Sequence, residues 1–238
     1  MKIALIGYGK MGKAIEEVAL KKGHSIILKI NSGNVQELKE DHFREADVAI
    51  EFSGPAAAYE NILSCLDAGV PVISGSTGWL HKMDEIKDYC LSKEGCFLYA
   101  SNFSIGVNIF FELNRKLASL MKDQEYDVAI KEIHHTQKKD APSGTAISLA
   151  EQILEKIKTK NKWVTNSAEH DELLITSKRQ DPAPGTHHVT YFSETDSIEI
   201  IHTAHNRSGF AKGAILAAEF IHNRKGIFSM KDILGVII

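Results

Sequence analysis

The feature that most constrains the fold is a short apolar run, KIALIG (Lys2 to Gly7), that leads directly into the glycine turn GYGKMG. Apolar residues then recur at helical spacing, so the pattern predicts a strand, a tight turn and a helix. In such a turn Gly7 permits the bend, Gly9 lets a pyrophosphate approach the backbone, and Gly12 lets the helix pack on the strand. Because a helix N-terminus also attracts anions, the turn predicts a dinucleotide site. The residues of this predicted site are Gly7, Tyr8, Gly9, Lys10, Met11 and Gly12.

The rest of the first hundred residues continues this alternation. Near-continuous apolar segments such as DVAIEFS and CFLYASNFS alternate with amphipathic helical segments such as AAAYENILSCLDAG. Strands of this kind are covered on both faces, so the pattern predicts a Rossmann-type, doubly wound parallel sheet. Ligands bind beyond the carboxyl ends of such strands, so two strand-end segments are predicted to contact the cofactor, although ordinary turns have a similar composition. These segments contain Gly75, Ser76, Thr77, Ala100, Ser101, Asn102 and Phe103.

The end of the second predicted strand leaves the choice of cofactor open. A carboxylate usually ends that strand and binds a ribose hydroxyl, whereas this chain has Lys29-Ile30-Asn31-Ser32. The Asn31 amide could hydrogen-bond a ribose, while Lys29 or Ser32 could accommodate a 2′-phosphate. We therefore predict that the cofactor is NADH or NADPH and that Asn31 contacts it.

The pattern changes after Phe103. A long helix is predicted over about Val107 to Met121, and the later segments DELLITSKR, HHVTYFSE and SIEIIHTAHN resemble strands of an antiparallel or mixed sheet. A last helix, GAILAAEFIHNRKG, and the tail after it are suited to pack on the first domain. We expect an α/β chain with a dinucleotide-binding domain of residues 1–103, completed by 211–238, and a second α+β domain with a mixed sheet, residues 104–210.

The segment EIHHTQKKDAPSGTA (Glu132 to Ala146) concentrates two histidines and two lysines just before a predicted helix. Strand alternation places His134 and His135 on opposite faces, which makes them poor ligands for a single metal ion. Lys138 follows beyond the strand, where a loop could return its amine to the imidazole. Histidine exchanges a proton near neutral pH and lysine neutralises charge, so the pair suits an anionic substrate with an unsaturated C–N system.

The residues Pro142-Ser143-Gly144-Thr145 then open a helix. Ser143 is a natural N-cap, and the exposed N–H groups together with the Thr145 hydroxyl predict a cradle for an anion. A capped helix after a polar loop is nevertheless common without any function.

Two other interpretations of these charged residues stay open. Lys138 could be one solvated charge among several, because Lys139 adjoins it. The remaining histidines could contribute to a structural zinc site, although their spacings match no familiar ligand set, and we predict no metal. These histidines are His187, His188, His202 and His205.

The composition argues against several classes of partner. With 43% hydrophobic residues, 25% charged residues and a net charge of -3, the chain resembles neither a nucleic-acid-binding polycation nor a membrane protein. Cys65, Cys90 and Cys96 form neither a metal-binding pair nor an even disulfide framework. We expect structural thiols in a reducing compartment, and therefore a cytoplasmic protein.

The segment Glu132 to Ala146 closely resembles the signature of the 4-hydroxy-tetrahydrodipicolinate reductase (dihydrodipicolinate reductase) family in the run H-H-x-x-K-x-D-A-P-S-G-T-A, which begins at His134. The resemblance covers nearly the whole chain. Further matches are Glu51-Phe52-Ser53 with Pro55 for D-F-T-x-P, Gly75 to Gly78 for G-T-T-G, Asn102-Phe103-Ser104 with Gly106 for N-F-S-x-G, Gly185-x-His187 for G-x-H, and the tail GIFSMKDIL.

The resemblance implies a reductase of the diaminopimelate route to lysine that uses NADH or NADPH. It implies that His134 is the general acid/base and that Lys138 activates the substrate, a small cyclic dicarboxylate with an imine-type bond. Hydride delivery would be followed by protonation of the enamine by His134, with domain closure excluding water. The substrate carboxylates would be bound by His135, Ser143, Gly144 and Thr145.

The resemblance also implies a homotetramer joined through the sheets of the second domain. Arg207 matches a family arginine near the domain junction, and its role stays open. The chain departs from the family pattern at Lys10, where an arginine is more common, and at Asn31, where some members have an acidic ribose ligand.

Two rival functions share part of this pattern. Another nicotinamide-dependent reductase or amino-acid dehydrogenase would have the same fold with a different pocket. A non-catalytic dinucleotide sensor would have no need for His134 together with Lys138, and it would normally add a basic DNA-binding helix, which is not evident here.

Overall fold

The structure is a computed structural model that describes residues 1–206 and 208–235. It divides into two compact units. The first comprises Met1–Ile105 together with the C-terminal segment that begins at Ser208, and the second begins at Gly106. Each unit has its own sheet and its own hydrophobic core, and each is described by itself below.

The first unit contains a six-stranded sheet in which every neighbouring pair of strands is parallel. With strands numbered along the chain, their order is β11-β5-β4-β3-β1-β2. From β1, strand β2 is added on one side and strands β3, β4, β5 and β11 are added in turn on the other, which is the doubly wound arrangement that the apolar strands predict. The strands are β1 (Lys2–Ile6), β2 (Ser25–Ile30), β3 (Val48–Glu51), β4 (Val72–Ser74), β5 (Cys96–Tyr99) and β11 (Gly226–Phe228).

Helices cover both faces of this sheet, which explains why its strands are almost continuously apolar. One core cluster joins the sheet to α1 and α6, and a second joins the opposite face to α2 and α3. In α1 the buried residues Gly12, Ile15 and Ala19 recur at helical spacing and face that core. The helices of this unit are α1 (Lys10–Lys21), α2 (Pro55–Asp67), α3 (Met83–Ser92), α6 (Ser208–Ile221) and α7 (Met230–Leu234).

The second unit contains a five-stranded mixed sheet of order β10-β9-β6-β8-β7. Strands β6, β8 and β7 are parallel to one another, while β9 is antiparallel to both β6 and β10. Helices α4 (Ile105–Met121) and α5 (Gly144–Lys156) pack with this sheet in one core cluster. The strands are β6 (Asp127–His134), β7 (Lys162–Val164), β8 (Glu172–Arg179), β9 (Gly185–Phe192) and β10 (Ser197–Ala204).

The predicted fold class, a Rossmann-type parallel sheet with a second α+β unit and a mixed sheet, is confirmed. The last helix was predicted from Gly213, but α6 begins at Ser208. Gly213 therefore lies inside the helix, where it serves packing: a Cβ at this position would lie 1.7 Å from the carbonyl oxygen of Phe103. The sequence alone does not distinguish a glycine that allows close packing inside a helix from a glycine at a helix end, which is why the predicted helix start was wrong.

Within the described part of the chain, none of the helices combines the length and apolar character needed to cross a bilayer. Arg207, whose role the sequence left open, lies outside the described residues, as do the last three residues of the predicted C-terminal segment.

Candidate active site

The glycine turn of the first unit has the geometry that its sequence predicts. Strand β1 ends at Ile6 and α1 begins at Lys10, with Gly9 as its N-cap. Gly7 has a φ of +92°, and a Cβ there would lie 2.2 Å from the Phe52 carbonyl oxygen. A Cβ on Gly12 would lie 2.8 Å from the Gly7 carbonyl oxygen, whereas one on Gly9 would meet nothing within 4 Å. Gly7 and Gly12 are thus required by packing, and Gly9 leaves open space at the helix N-terminus.

Polar contacts order the residues beside this turn. Lys29 forms an ion pair with Glu16 at 2.6 Å, and its ammonium lies 4.8 Å from the centroid of the Tyr8 ring. The Tyr8 hydroxyl also hydrogen-bonds Glu16. Asn31 is exposed just after β2, and its Oδ1 accepts a 2.8 Å hydrogen bond from the Gly33 N–H. The amide NH₂ of Asn31 is directed away from that bond and is the donor that a ribose oxygen could use.

A buried carboxylate, Glu51, organises two strand ends of the first unit. Its oxygens accept hydrogen bonds from the Ser74 hydroxyl at 2.6 Å, from the Ser76 hydroxyl at 2.8 Å, and from both the N–H and the hydroxyl of Ser53. The carboxylate is fully buried, so these donors replace its hydration. The predictions did not assign a role to Glu51, although an acid at the end of an apolar strand is itself a signal of a bound or functional carboxylate.

The structure gives the predicted cofactor residues at these strand ends unequal access. Thr77 and Ser101 are exposed, and Gly75 and Asn102 are half-buried. Gly75 has no room for a side chain, because a Cβ there would lie 2.2 Å from the Phe52 ring. The other three are buried, which leaves mainly their backbone to a ligand: Ser76, Ala100 and Phe103.

In the second unit, β6 places Glu132 and His134 on the buried face of the mixed sheet. The register puts Glu132 beside Ser177 of β8 and beside His187 of β9. His134 lies next to Arg179 in the same way. The side chains in these rows converge because paired residues of neighbouring strands point to the same face.

Glu132 is fully buried and hydrogen-bonded on several sides. Both of its oxygens lie 3.1 Å from the backbone N–H of Ser143, and Oε1 accepts a 2.8 Å hydrogen bond from the Ser177 hydroxyl. The Arg179 guanidinium lies 3.4 Å from the same oxygen. Burial by itself would raise the pKa of Glu132, but the hydrogen bonds from Ser143 and Ser177 and the nearby His134 hold the pKa below its usual value. Glu132 is therefore an anion at neutral pH.

His134 is buried beside this carboxylate, with Nδ1 3.5 Å from Oε2 of Glu132. Its ring meets the His187 ring edge-on, with centroids 5.1 Å apart. Burial lowers the pKa of His134, Glu132 opposes that shift, and Lys138 and Arg179 reinforce it. The net result is a pKa of His134 below its usual value, so the resting imidazole is mainly neutral, and the adjacent Glu132 carboxylate favours its charged form when it takes up a proton.

Gly185, at the start of β9, leaves Nε2 of His134 uncovered, the nitrogen that does not face Glu132. A Cβ on Gly185 would lie 3.0 Å from Nε2 and 3.2 Å from Cδ2 of His134. Any larger residue at position 185 would therefore press on the imidazole edge that carries Nε2. The G-x-H match in the sequence thus corresponds to two contacts around His134, one from Gly185 and one from His187.

His187 links the imidazole pair to the start of α5. Its Nε2 lies 3.1 Å from the Ser143 hydroxyl oxygen and 3.7 Å from Oε2 of Glu132. Burial, with a smaller contribution from His134, lowers the pKa of His187 to about 4. His187 is accordingly neutral at physiological pH. The sequence indicates His187 only as a possible zinc ligand and through the G-x-H match of the family resemblance, and neither indicates its pairing with β6.

The N-terminus of α5 has the predicted cap. The Ser143 hydroxyl oxygen accepts a 3.2 Å hydrogen bond from the Ala146 N–H, and Gly144 is exposed with nothing within 4 Å of a hypothetical Cβ. Thr145 is half-buried. The first N–H groups of the helix, together with these residues, form a positive site that is open to a carboxylate.

Lys138 lies in the loop between β6 and α5, where its ammonium forms an ion pair with Asp140 at 2.7 Å. Arg179 fastens this loop by donating to the Lys138 carbonyl at 3.2 Å and to the Asp140 carbonyl at 2.5 Å. His135 follows the end of β6 and is half-buried. Its backbone N–H donates to the Ala183 carbonyl at 2.8 Å. Asp140 and Arg179 were not among the predicted site residues, although Asp140 stands in the signature itself.

Glu132, His134 and His187 each offer a ligand atom, and these atoms lie within 4.8 Å of one another. Two imidazoles and a carboxylate are a donor set that suits zinc. The carboxylate is already used by Ser143, Ser177 and Arg179, however, and the guanidinium places a positive charge beside any cation bound there. The geometry favours a hydrogen-bonded network over a metal centre.

Comparison with known proteins assigns nearly the whole chain to one family. The family model described as Dihydrodipicolinate reductase, N-terminus, matches residues 1–103, and the one described as Dihydrodipicolinate reductase, C-terminus, matches residues 106–234. The chain belongs to the dihydrodipicolinate reductase family. The resemblance drawn from the segment Glu132 to Ala146 is thereby confirmed.

Individual members of the dihydrodipicolinate reductase family are similar over nearly the full length. The chain is 50% identical to the 4-hydroxy-tetrahydrodipicolinate reductase of Christiangramia forsetii over 236 residues, which cover 99% of this chain and 98% of that protein. It is 36% identical to the protein of the same name from Methanosarcina acetivorans, with 98% of this chain and 89% of that protein covered.

Among solved structures, a dipicolinate-bound dihydrodipicolinate reductase from Paenisporosarcina sp. TG-14 has the same fold. Its TM-score is 0.75 at 23% sequence identity, with 96% of this chain and 97% of that chain covered. Membership of the dihydrodipicolinate reductase family makes this protein an NAD(P)H-dependent oxidoreductase whose N-terminal region is the nucleotide-binding one.

Proposed function

We propose that this protein reduces 4-hydroxy-tetrahydrodipicolinate to tetrahydrodipicolinate with NADH or NADPH, in the diaminopimelate route to lysine. Family membership supports the reaction. One structural observation carries the assignment of the site: Glu132 hydrogen-bonds the backbone of Ser143, which caps α5, and lies 3.5 Å from His134. A proton donor and a positive helix terminus thus lie next to each other, as a dianionic substrate requires.

The substrate carboxylates bind, in this proposal, at the start of α5. Donors there are the N–H groups of Gly144 and Thr145 at the helix start, the hydroxyl groups of Ser143 and Thr145, and the half-buried His135. Lys138 adds positive charge near this site, and Asp140 and Arg179 hold the loop that carries it. The cradle and the lysine together favour two acid groups over one, because each acid group finds its own positive partner.

His134 acts in this proposal as the general acid. The 4-hydroxyl group of the substrate ring leaves as water, which forms the conjugated carbon–nitrogen system, and reduced nicotinamide, when bound, would supply the hydride that reduces this system. The electron pair displaced by the hydride passes through the enamine to a ring carbon, and that carbon takes the proton from Nε2 of His134. Glu132 faces the opposite nitrogen and stabilises the imidazolium before the proton leaves. Lys138 lowers the energy of negative charge that develops on the substrate.

The glycine turn fits a dinucleotide because Gly9 leaves open space where the N–H groups of α1 are exposed. We assign cofactor contacts to that turn, to Asn31 and to the exposed strand-end residues Thr77 and Ser101. The β2 end carries no carboxylate to repel a 2′-phosphate, and Lys29 is already paired with Glu16. These features support use of both NADH and NADPH.

We further propose that residues 1–103 with 211–238 bind the dinucleotide and that residues 104–210 bind substrate and support a homotetramer. Exposed apolar residues on the sheet of the second unit support self-association: Phe192, Ile198 and Ile201. The three cysteines are free and buried, which supports a reducing location such as the cytoplasm.

A coupled assay tests the proposed reaction. Dihydrodipicolinate synthase generates the substrate in place, and the oxidation of NADH and of NADPH is followed in parallel by absorbance. We expect consumption of both cofactors that depends on the synthase and on this protein. Purified protein that consumes neither cofactor under these conditions would contradict the proposed function.

A further inference from the structure

Glu132 does not stand at the start of α5 where the substrate is proposed to bind, yet three parts of the site converge on it. It accepts the backbone N–H of Ser143, and its Oε2 lies 3.5 Å from Nδ1 of His134 and 3.7 Å from Nε2 of His187. The Ser177 hydroxyl and the Arg179 guanidinium are on Oε1. Oε1 therefore accepts from donors of β8, while Oε2 faces the imidazoles of His134 and His187.

The carboxylate decides which nitrogen of neutral His134 carries the proton. Nδ1 faces Oε2 of Glu132 and has no hydrogen-bond partner elsewhere in the described residues. A proton on Nδ1 is attracted to the anion, whereas a lone pair there would repel it. Nδ1 is thus the nitrogen that stays protonated, and Nε2 is the nitrogen that exchanges its proton. Gly185 leaves that nitrogen uncovered.

The proton of His187 is placed by the same argument. Its Nδ1 is buried and, across the described parts of the chain, has no hydrogen-bond partner, whereas its Nε2 faces both Oε2 of Glu132 and the Ser143 hydroxyl oxygen. An unpaired buried N–H costs more than an unpaired lone pair, so the proton belongs on Nε2. His187 then donates to the Ser143 hydroxyl oxygen.

That assignment changes what Ser143 can offer a ligand. Its oxygen already accepts from the Ala146 N–H at 3.2 Å, and His187 occupies the second acceptor position at 3.1 Å. With both lone pairs used, the hydroxyl can act further only as a donor. A carboxylate is its natural acceptor, and Glu132 is one within reach, since a side-chain hydrogen bond from Ser143 helps to lower the pKa of Glu132.

We propose that Glu132 is a positioning residue that fixes the protons of both buried histidines, so that His134 transfers its proton from Nε2 and the Ser143 hydroxyl at the start of α5 acts only as a donor. This inference rests on the proposed function and deepens it. It connects the proton donor and the anion site through a residue that touches neither the substrate nor the cofactor.

Nuclear magnetic resonance of protein labelled with ¹⁵N-histidine tests the proton positions directly. In the wild-type protein above pH 7, we expect His134 to carry its proton on Nδ1 and His187 to carry its proton on Nε2. Single substitutions, His134→Gln and His187→Gln, assign the signals. The opposite tautomer at either histidine would overturn the inference. This measurement needs no substrate, so its result is independent of the proposed reaction.

Kinetics of Glu132→Gln test the consequence for catalysis. The groups that face His134 are Glu132, Lys138, Asp140, Arg179 and His187, so removing the one buried anion leaves mainly positive neighbours. We expect kcat to fall about 10- to 100-fold. The limb of the pH profile on which activity falls as pH rises should move to lower pH, and KM for NADH should change less than about twofold.

A matched control separates this role from a general loss of structure. Glu155→Gln removes an exposed carboxylate from α5 and should leave the pH profile and kcat unchanged. If Glu132→Gln keeps the wild-type pH profile and kcat while wild type is active, the positioning role is excluded and the proposed reaction stands. If wild type itself oxidises neither NADH nor NADPH, the proposed reaction fails instead. Should Glu132→Gln fail to fold, the histidine tautomers measured in the wild-type protein decide whether the positioning role holds.

Discussion

At the scale of single residues, the site depends on contacts that fix where protons lie. His134, Glu132 and His187 are buried together, and Gly185 supplies the space beside them. A change of one atom at these positions alters charge or access without altering the fold. The predictions at this scale therefore concern activity and its pH dependence more than stability.

His134→Gln should reduce kcat by about 10²- to 10⁴-fold, because glutamine keeps polar contacts but cannot deliver a proton at neutral pH. Affinity for NADH, measured by fluorescence titration, should stay nearly unchanged, since the glycine turn belongs to the other unit. His170→Gln, at an exposed loop position, is the control and should behave as wild type. A His134→Gln variant with the wild-type turnover would refute the general-acid role.

Gly185→Ala should lower kcat at least about tenfold by pressing a methyl group against Nε2 of His134. The added Cβ would lie 3.0 Å from that nitrogen, which is shorter than ordinary van der Waals contact. Steady-state kinetics measure the effect, and Gly209→Ala, whose Cβ has an ordinary 3.6 Å contact, is the control. Equal activity of the two variants would contradict the idea that Gly185 keeps the reactive nitrogen open.

Stability should fall with acid because His187 is buried in its neutral form. Its pKa is lowered to about 4 in the folded state, whereas an unfolded histidine titrates near its ordinary value of about 6.5. The unfolded chain therefore binds more protons in this window, so the stabilisation is complete above pH 6.5 and is lost as pH falls towards 4. The neutral His187 contributes about 3 kcal/mol to the free energy of unfolding, and about 2 kcal/mol of this contribution should be lost by pH 5. Urea unfolding at pH 7 and pH 5 measures this loss. The free energy of unfolding of His187→Gln should decrease less between the two pH values than that of wild type.

At the scale of elements, the sequence predicted what is encoded locally and missed what depends on pairing. The run KIALIG and its glycine turn determine β1 and α1, and Ser143 caps α5 as expected. His134, Lys138 and Ser143 come from one continuous segment, so a single pattern predicts all three as candidates. Ser177, Arg179 and His187 reach the same place only through the register of β8 and β9 with β6, which no local pattern specifies.

Helix α6 offers a test in which packing opposes helix propensity. Gly213→Ala would by itself favour the helix by about 1 kcal/mol. The new Cβ would however lie 1.7 Å from the Phe103 carbonyl oxygen, so α6 would have to move away from that segment. We expect a net loss of about 2 kcal/mol in the free energy of unfolding. Chemical denaturation measures this, with Gly209→Ala as the control in the same helix, and a stabilised Gly213→Ala variant would disprove the close packing.

At the scale of the whole molecule, the exposed apolar residues of the second sheet are the main feature that its own core does not explain. Ile201 is 56% exposed on β10, the edge strand of that sheet. Edge strands with apolar surface tend to associate unless they are covered. The sequence could indicate a homotetramer only through family resemblance, because alternation along a strand does not tell whether the outer face meets solvent or another subunit.

Ile201→Lys should therefore reduce the oligomeric state of the protein. We expect light scattering to give the mass of a tetramer for wild type and a smaller mass for the variant, because a buried lysine would be costly at a subunit interface. Leu91→Lys, which changes another exposed apolar residue in the first unit, is the control. A wild-type monomer, or an Ile201→Lys tetramer, would contradict the proposed interface.

The convergence on Glu132 also bears on how activity is gained during folding. Its partners come from β8, β9 and the start of α5, and the most distant along the chain is His187, 55 residues after Glu132 (187 minus 132). Contacts between such distant segments form late, after helices have begun to appear. Recovery of enzymatic turnover after dilution from denaturant should therefore lag behind recovery of the helical signal, and it would report the completion of the mixed sheet.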